Sequence, residues 1–167
     1  VGLMTYATEV EVVFQLNAFS STMDVLNAAS VFYTGGSTNT AAAIETADNI
    51  MFTEKNGDRF GVRNILILMS DGQSTDPAAT QLAAMNARTR TTDPINIITL
   101  GIGASAKESE LKAIASNPME MNYFKEESFD SLSDVVSNLN AALCQGEWYL
   151  FTKLIQFYSV VWQTVVQ

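Results

Sequence analysis

The spacing of apolar residues changes period repeatedly along the chain, and each change marks a boundary between elements. Val1–Ala7 and Glu9–Leu16 are rich in β-branched and aromatic residues and read as two strands. Only Thr8 and its polar neighbours separate them, which predicts antiparallel neighbours joined by a tight turn. Met23–Phe32 reads as a modest helix with Ser20, Ser21 and Thr22 as cap candidates. A Gly35–Gly36 turn and a run of hydroxyls then lead into a helix over Ala41–Phe52. After the turn-rich Glu54–Gly61 come a strand at Ile65–Met69, a helix at Ala78–Arg88 and a strand at Ile95–Leu100. A helix at Lys107–Ser116, a short strand at Met121–Phe124 and a helix at Phe129–Leu143 follow, the last with Leu132, Val135, Val136, Leu139 and Leu143 at helical spacing. Strands that alternate with helices, the later ones apolar on both faces, predict an α/β fold whose mostly parallel sheet is covered on both sides.

The last segment has a different character. In Glu147–Gln167, Leu150, Leu154, Tyr158, Val161 and Val165 recur at helical spacing, as do Phe151, Ile155, Trp162 and Val166. Thr152, Lys153, Gln156, Ser159, Gln163 and Thr164 take the opposite side, so the spacing predicts an amphipathic helical tail over 147–167 with a wide apolar face. Lys153 and three glutamines make it a poor membrane span, and packing onto a protein surface is the expectation.

Composition matters mainly through what it removes. The 167 residues suffice for one domain with a core. Eighteen acids against nine bases give a net charge of −9, which disfavours nucleic acid and anionic membrane surfaces as partners. The chain has no histidine, which removes a Ser-His-Asp triad and His-ligated zinc. With Cys144 as its one cysteine, no disulfide closes within these residues and no thiolate cage forms. A metal site would have to use carboxylate, hydroxyl and carbonyl oxygens, the ligands of Mg²⁺, Ca²⁺ or Mn²⁺. The chain opens on neither Met nor a signal-like segment, so Val1 reads as a cut end.

Against that background the stretch "NILILMSDGQSTD" stands out, because a buried strand ends in carboxylates and hydroxyls. Part of this is local: Asp-Gly makes turns, and Asp76 before Pro77 suits a helix N-cap with proline at the first helical position. The rest is pattern. "YTGGSTNTAAAI" followed some thirty residues on by "ILILMSDGQSTD" resembles the von Willebrand factor type A domain. "VGLMTYATEVEVVFQL" looks like that family's second and third strands and "INIITLGIG" like its fifth, so the likeness runs from Val1 to about Gly146.

The resemblance implies a doubly wound, Rossmann-like sheet with one antiparallel edge strand. It also implies a metal-ion-dependent adhesion site at the carboxyl end of that sheet, built from three loops. Thr38 matches the threonine of the second loop and Asp71 the aspartate of the third. The ion, Mg²⁺ or alternatively Mn²⁺ or Ca²⁺, would take an acidic side chain from an extracellular protein partner, which makes the chain a non-enzymatic adhesion module of a secreted protein or ectodomain. The family's first loop, Asp-x-Ser-x-Ser, has no counterpart, because Val1 falls where the family's second strand begins. The expectation is therefore an incomplete site that does not retain its ion, and a vacancy between the strands at Val1–Ala7 and Ile65–Met69. The family also implies that Cys144 pairs with a cysteine ahead of the first strand; an isolated buried thiol is the plainer reading. Two other functions stay open: a structural domain without metal, and a dinucleotide-binding oxidoreductase using Gly101–Ala106, which fits Gly-x-Gly-x-x-Ala after a strand.

Overall fold

A computed structural model describes residues 1–29 and 35–128, together with the backbone of 160–163. Its centre is a six-stranded sheet in the order β2-β1-β6-β3-β4-β5. These strands are β1 (Leu3–Tyr6), β2 (Val10–Phe14), β3 (Asn64–Ser70), β4 (Ile95–Ile102), β5 (Tyr123–Glu126) and β6 (Val160–Gln163). β2 runs antiparallel to β1 at one edge, and every other pairing is parallel. The expected α/β architecture with one antiparallel edge strand is the one observed.

The sheet buries both faces, as its sequence demanded. Met4, Tyr6, Leu66, Leu68, Ile95 and Ile97 point to one side, where α2 (Thr40–Thr46), α3 (Pro77–Thr89) and α4 (Glu108–Ile114) supply Ala43, Ile44, Ala83, Ala84, Leu111 and Ile114. Ile67, Met69, Ile98, Leu100 and Ile102 form a second cluster on the other side, with Met121 and Phe124. Each strand thus sends alternate residues into separate cores, which is why alternation of polar and apolar residues is missing from it.

Local chemistry sets the helix starts. Ser21 caps α1 (Thr22–Ala28) by accepting from Asp24 N at 3.2 Å, Asn39 caps α2 through Ala42 N, and Asp76 caps α3 through Ala79 N at 2.9 Å. α2 continues without a break as a π-helical turn over Ala47–Met51. A helical turn, α5 (Met119–Asn122), precedes β5 and displaces the expected start of that strand by two residues. The helix expected over Phe129–Leu143, and Cys144, lie outside the described residues.

The tail requires a correction. Val160–Gln163 is not helical but forms β6, inserted between β1 and β3. Thr5 and Tyr6 pair with Trp162 and Gln163 on one side, and Ile67, Leu68 and Met69 pair with Val160, Val161 and Trp162 on the other. The position that the sequence left vacant is filled from the far end of the chain. The physical reason is the cost of the alternative. With neighbouring strands about 4.8 Å apart, an empty position would leave β1 and β3 roughly 9.6 Å from each other, each with unpaired backbone groups in the core. An apolar run with two adjacent valines meets that need better as a strand than as a surface helix.

Candidate functional site

Because β1, β6, β3, β4 and β5 are parallel, their carboxyl ends share one edge, where ligands of open α/β sheets bind. Three loops converge there. β1 ends into Ala7–Glu9, the Gly35–Asn39 loop leads into α2, and β3 ends in Ser70 and continues through Asp71 to Asp76.

Hydrogen bonds hold the three together. Thr75 N donates to Thr38 O at 2.8 Å, and Thr38 N donates to Thr75 Oγ1 at 3.0 Å. Asn39 N donates to Ala7 O at 2.8 Å, and Ser37 N and Oγ both donate to Thr8 Oγ1, at 3.1 and 3.2 Å. The glycines of the turn are a steric necessity: Gly36 sits at φ +117°, and a Cβ there would lie 2.5 Å from Thr8 Oγ1. Thr38 and Asp71 therefore stand on adjoining loops that are tied to each other.

Beneath the loops lies a buried polar layer that the motifs did not reveal. Tyr6, from β1, reaches across to β3, where its hydroxyl donates to Met69 O at 2.9 Å. Burial pushes the Tyr6 phenol well above its ordinary value; the Thr40 and Ser70 hydroxyls oppose that shift, and the charges of Asp71 and Glu110 add to it. The sign of the linkage is set by ionisation of the unfolded chain. A phenol that stays neutral in the fold but ionises near pH 10 when unfolded makes stability fall as pH rises above about 10. Tyr6→Phe should flatten that part of the stability–pH curve, measured by urea unfolding at pH 8 to 11.

Glu110 is the second unforeseen member. It is 7 % exposed, and its Oε1 accepts from Ser74 N at 3.2 Å, bracing the loop after β3 from α4. Glu110 Oε2 and Ser74 Oγ are buried without a partner among the described residues. Removing the acceptor strands the Ser74 N–H, so Glu110→Ala should cost about 1–3 kcal/mol. Glu110→Gln keeps an acceptor and places a donor beside it, and should cost less than about 0.5 kcal/mol. Urea midpoints of the two variants check this.

The described residues do not make a complete cation site. Asp71 and Thr38 could offer at most one carboxylate and one hydroxyl, whereas Mg²⁺ needs about six oxygens in octahedral geometry. Among the described residues, no group of three or more acids, Cys or His comes together. The Gly101–Ala106 pattern is explained by packing: Gly101 lies within β4, where a Cβ would come 2.9 Å from Leu111 Cδ1 and 3.1 Å from Ala106 Cβ.

A doubly wound sheet with a Gly-Gly-Ser-Thr-Asn-Thr loop and an Asp-Gly-x-Ser-x-Asp loop tied together at its carboxyl edge defines a Rossmann-like α/β domain. The sequence pattern of the von Willebrand factor type A domain matches residues 1–138, and the chain belongs to that family. It is 33 % identical to the mouse collagen alpha-5(VI) chain over 149 residues, 87 % of this chain but 5 % of that one. It is 32 % identical to integrin alpha-1 of Gallus gallus over 147 residues, 83 % of this chain and 52 % of that protein. Among solved structures, proximal thread matrix protein 1 from the mussel byssus, with a zinc-occupied MIDAS motif, superposes with a TM-score of 0.78 at 25 % identity, covering 86 % of this chain and 36 % of that one. The chain thus spans a small part to about half of these relatives, which are extracellular or ectodomain proteins.

Proposed function

We propose that this chain is a protein-binding adhesion module of the extracellular matrix or of a membrane ectodomain, and not an enzyme. It would engage an acidic side chain of its partner at the carboxyl edge of the sheet. The observation that carries this reading is the pair of hydrogen bonds between Thr38 and Thr75, one backbone to backbone and one from Thr38 N to the Thr75 hydroxyl, which holds the loops of Thr38 and Asp71 side by side. Family membership and the metal-bearing motif of the byssus protein support it. Thr38 and Asp71 would be two contributors to a divalent-cation site that these residues alone leave incomplete. The purely structural alternative makes the opposite prediction in one experiment. Binding of the chain to an immobilised matrix extract is measured with Mg²⁺ or Mn²⁺, with a chelator, and after Asp71→Ala. Binding that falls with Asp71→Ala supports the adhesive reading; indifference of all binding to Asp71 and to the chelator overturns it.

A further inference from the structure

The chain's four arginines, Arg59, Arg63, Arg88 and Arg90, are segregated at one end of the molecule. Arg59 and Arg63 precede β3, while Arg88 and Arg90 lie at the end of α3, ahead of β4. β3 and β4 are parallel, and their first residues, Asn64 and Ile95, are paired. These arginines therefore surround the amino ends of the strands, opposite the edge that carries Thr38 and Asp71. Between the two segments opens a cleft of about 730 Å³, lined by Arg63, Arg88, Thr89, Asp93, Ser116 and Asn117 among others. That size falls within the range of ligand sites.

The two guanidinium groups in its wall are held differently. Arg88 is anchored: its Nη1 donates to the carbonyls of Ala113, Ile114 and Ala115 at the end of α4, leaving Nε and Nη2 without an acceptor among the described residues. Arg63 is exposed and has no carboxylate partner among the described residues, unlike Arg90, which pairs with Asp48 at 2.6 Å. Among the described residues, Asp93 is the one acid in the wall. Val62, 40 % exposed, and Gly61, at φ +74°, also line the cleft, and the neighbouring Phe60 is 97 % exposed. An exposed aromatic near Arg63, an arginine with no carboxylate partner among the described residues, has the composition of an interface patch.

From this placement we infer that the cleft is a second binding site, for an acidic polypeptide segment that carries an apolar residue among its carboxylates. The planar forks of Arg63 and Arg88 suit carboxylates, and Phe60 and Val62 supply apolar contact. In a chain of net charge −9 this is the surface that would draw in an acidic partner and not repel it. The site is independent of the cation edge and would survive failure of the adhesion reading.

The test is an NMR titration of the ¹⁵N-labelled chain with acetyl-Glu-Glu-Leu-Glu-Glu-amide, with the Lys counterpart, and with inorganic phosphate. The Glu peptide should give saturable shifts at Arg63, Arg88, Thr89 and Asn117, and the Lys peptide none. Arg63→Ala, which removes an exposed side chain, should weaken binding about tenfold and Phe60→Ala about threefold, while Arg59→Ala should change it less than twofold. Non-saturable shifts, equal losses for Arg59→Ala and Arg63→Ala, or phosphate binding as tightly as the peptide would overturn the assignment.

Discussion

Val161→Pro should cost the domain about 3 kcal/mol or more and abolish its cooperative unfolding transition. Val161 lies in the middle of β6, opposite Leu68 of β3. Proline there removes a ladder donor in a strand with neighbours on both sides, a position where sheets do not accept it. Typical domains hold about 5–15 kcal/mol in total, and here the loss falls on the element that joins two half-sheets. β1 and β2 form one half and β3, β4 and β5 the other; among the described strands no pairing links the halves except through β6. Hydrogen exchange should show the asymmetry. Protection should fall at Thr5, Tyr6 and Leu68, which flank β6, and persist at Ile97 and Ile98 on the paired side of β4. Unchanged exchange at Leu68 in the proline variant would show that β6 contributes nothing to the sheet.

Mg²⁺ should bind this chain only in the millimolar range or weaker, and more than a hundredfold tighter once a strand ending in Asp-x-Ser-x-Ser is attached ahead of Val1. Mg²⁺ gives up water reluctantly, and one carboxylate with one hydroxyl offers little in exchange. The added loop would bring a second carboxylate and two hydroxyls. In that extended chain, Asp71→Ala and Thr38→Ala should each return Mg²⁺ binding to the level of the parent without unfolding the sheet. The added strand must also enter between β1 and β3, where Val160–Gln163 now lies. Calorimetry should therefore register gain of the ion, and exchange at Val161 should register expulsion of β6. Tight Mg²⁺ binding by the extended Asp71→Ala variant would rule out Asp71 as a ligand, and tight binding by the unextended chain would overturn the incompleteness of the site.

Most of the sheet could be read from the chain because the signals were local. Ile65–Met69 and Ile95–Leu100 are apolar on both faces, and Asp76-Pro77 marks a helix start whatever surrounds it. The π-helical turn at Ala47–Met51 escaped notice because its apolar spacing differs little from that of the α-helix it extends. The tail misled for a different reason. Its residues satisfy helical spacing, but what decided the backbone of Val160–Gln163 was an unpaired position far away in sequence, and periodicity within the segment carries no trace of that. Glu110 left a fainter clue. It lies four residues before buried Ile114 and beside buried Leu111, so it shares the inward face of α4, and an acid on such a face needs a partner.

The position of β6 also dictates when the sheet can be finished. Thr5 pairs with Trp162, far along the chain, so the strand at the centre of this sheet is the last of the six described strands to leave the ribosome. At roughly 5–20 residues per second, the completed β1–β2 hairpin and the β3–β4–β5 sheet spend seconds with open, apolar edges facing each other. Nascent chains in that interval are candidates for chaperone capture or for pairing with the same edges of a neighbouring chain on the polysome. Contacts of such sequence separation also make for slow refolding in vitro.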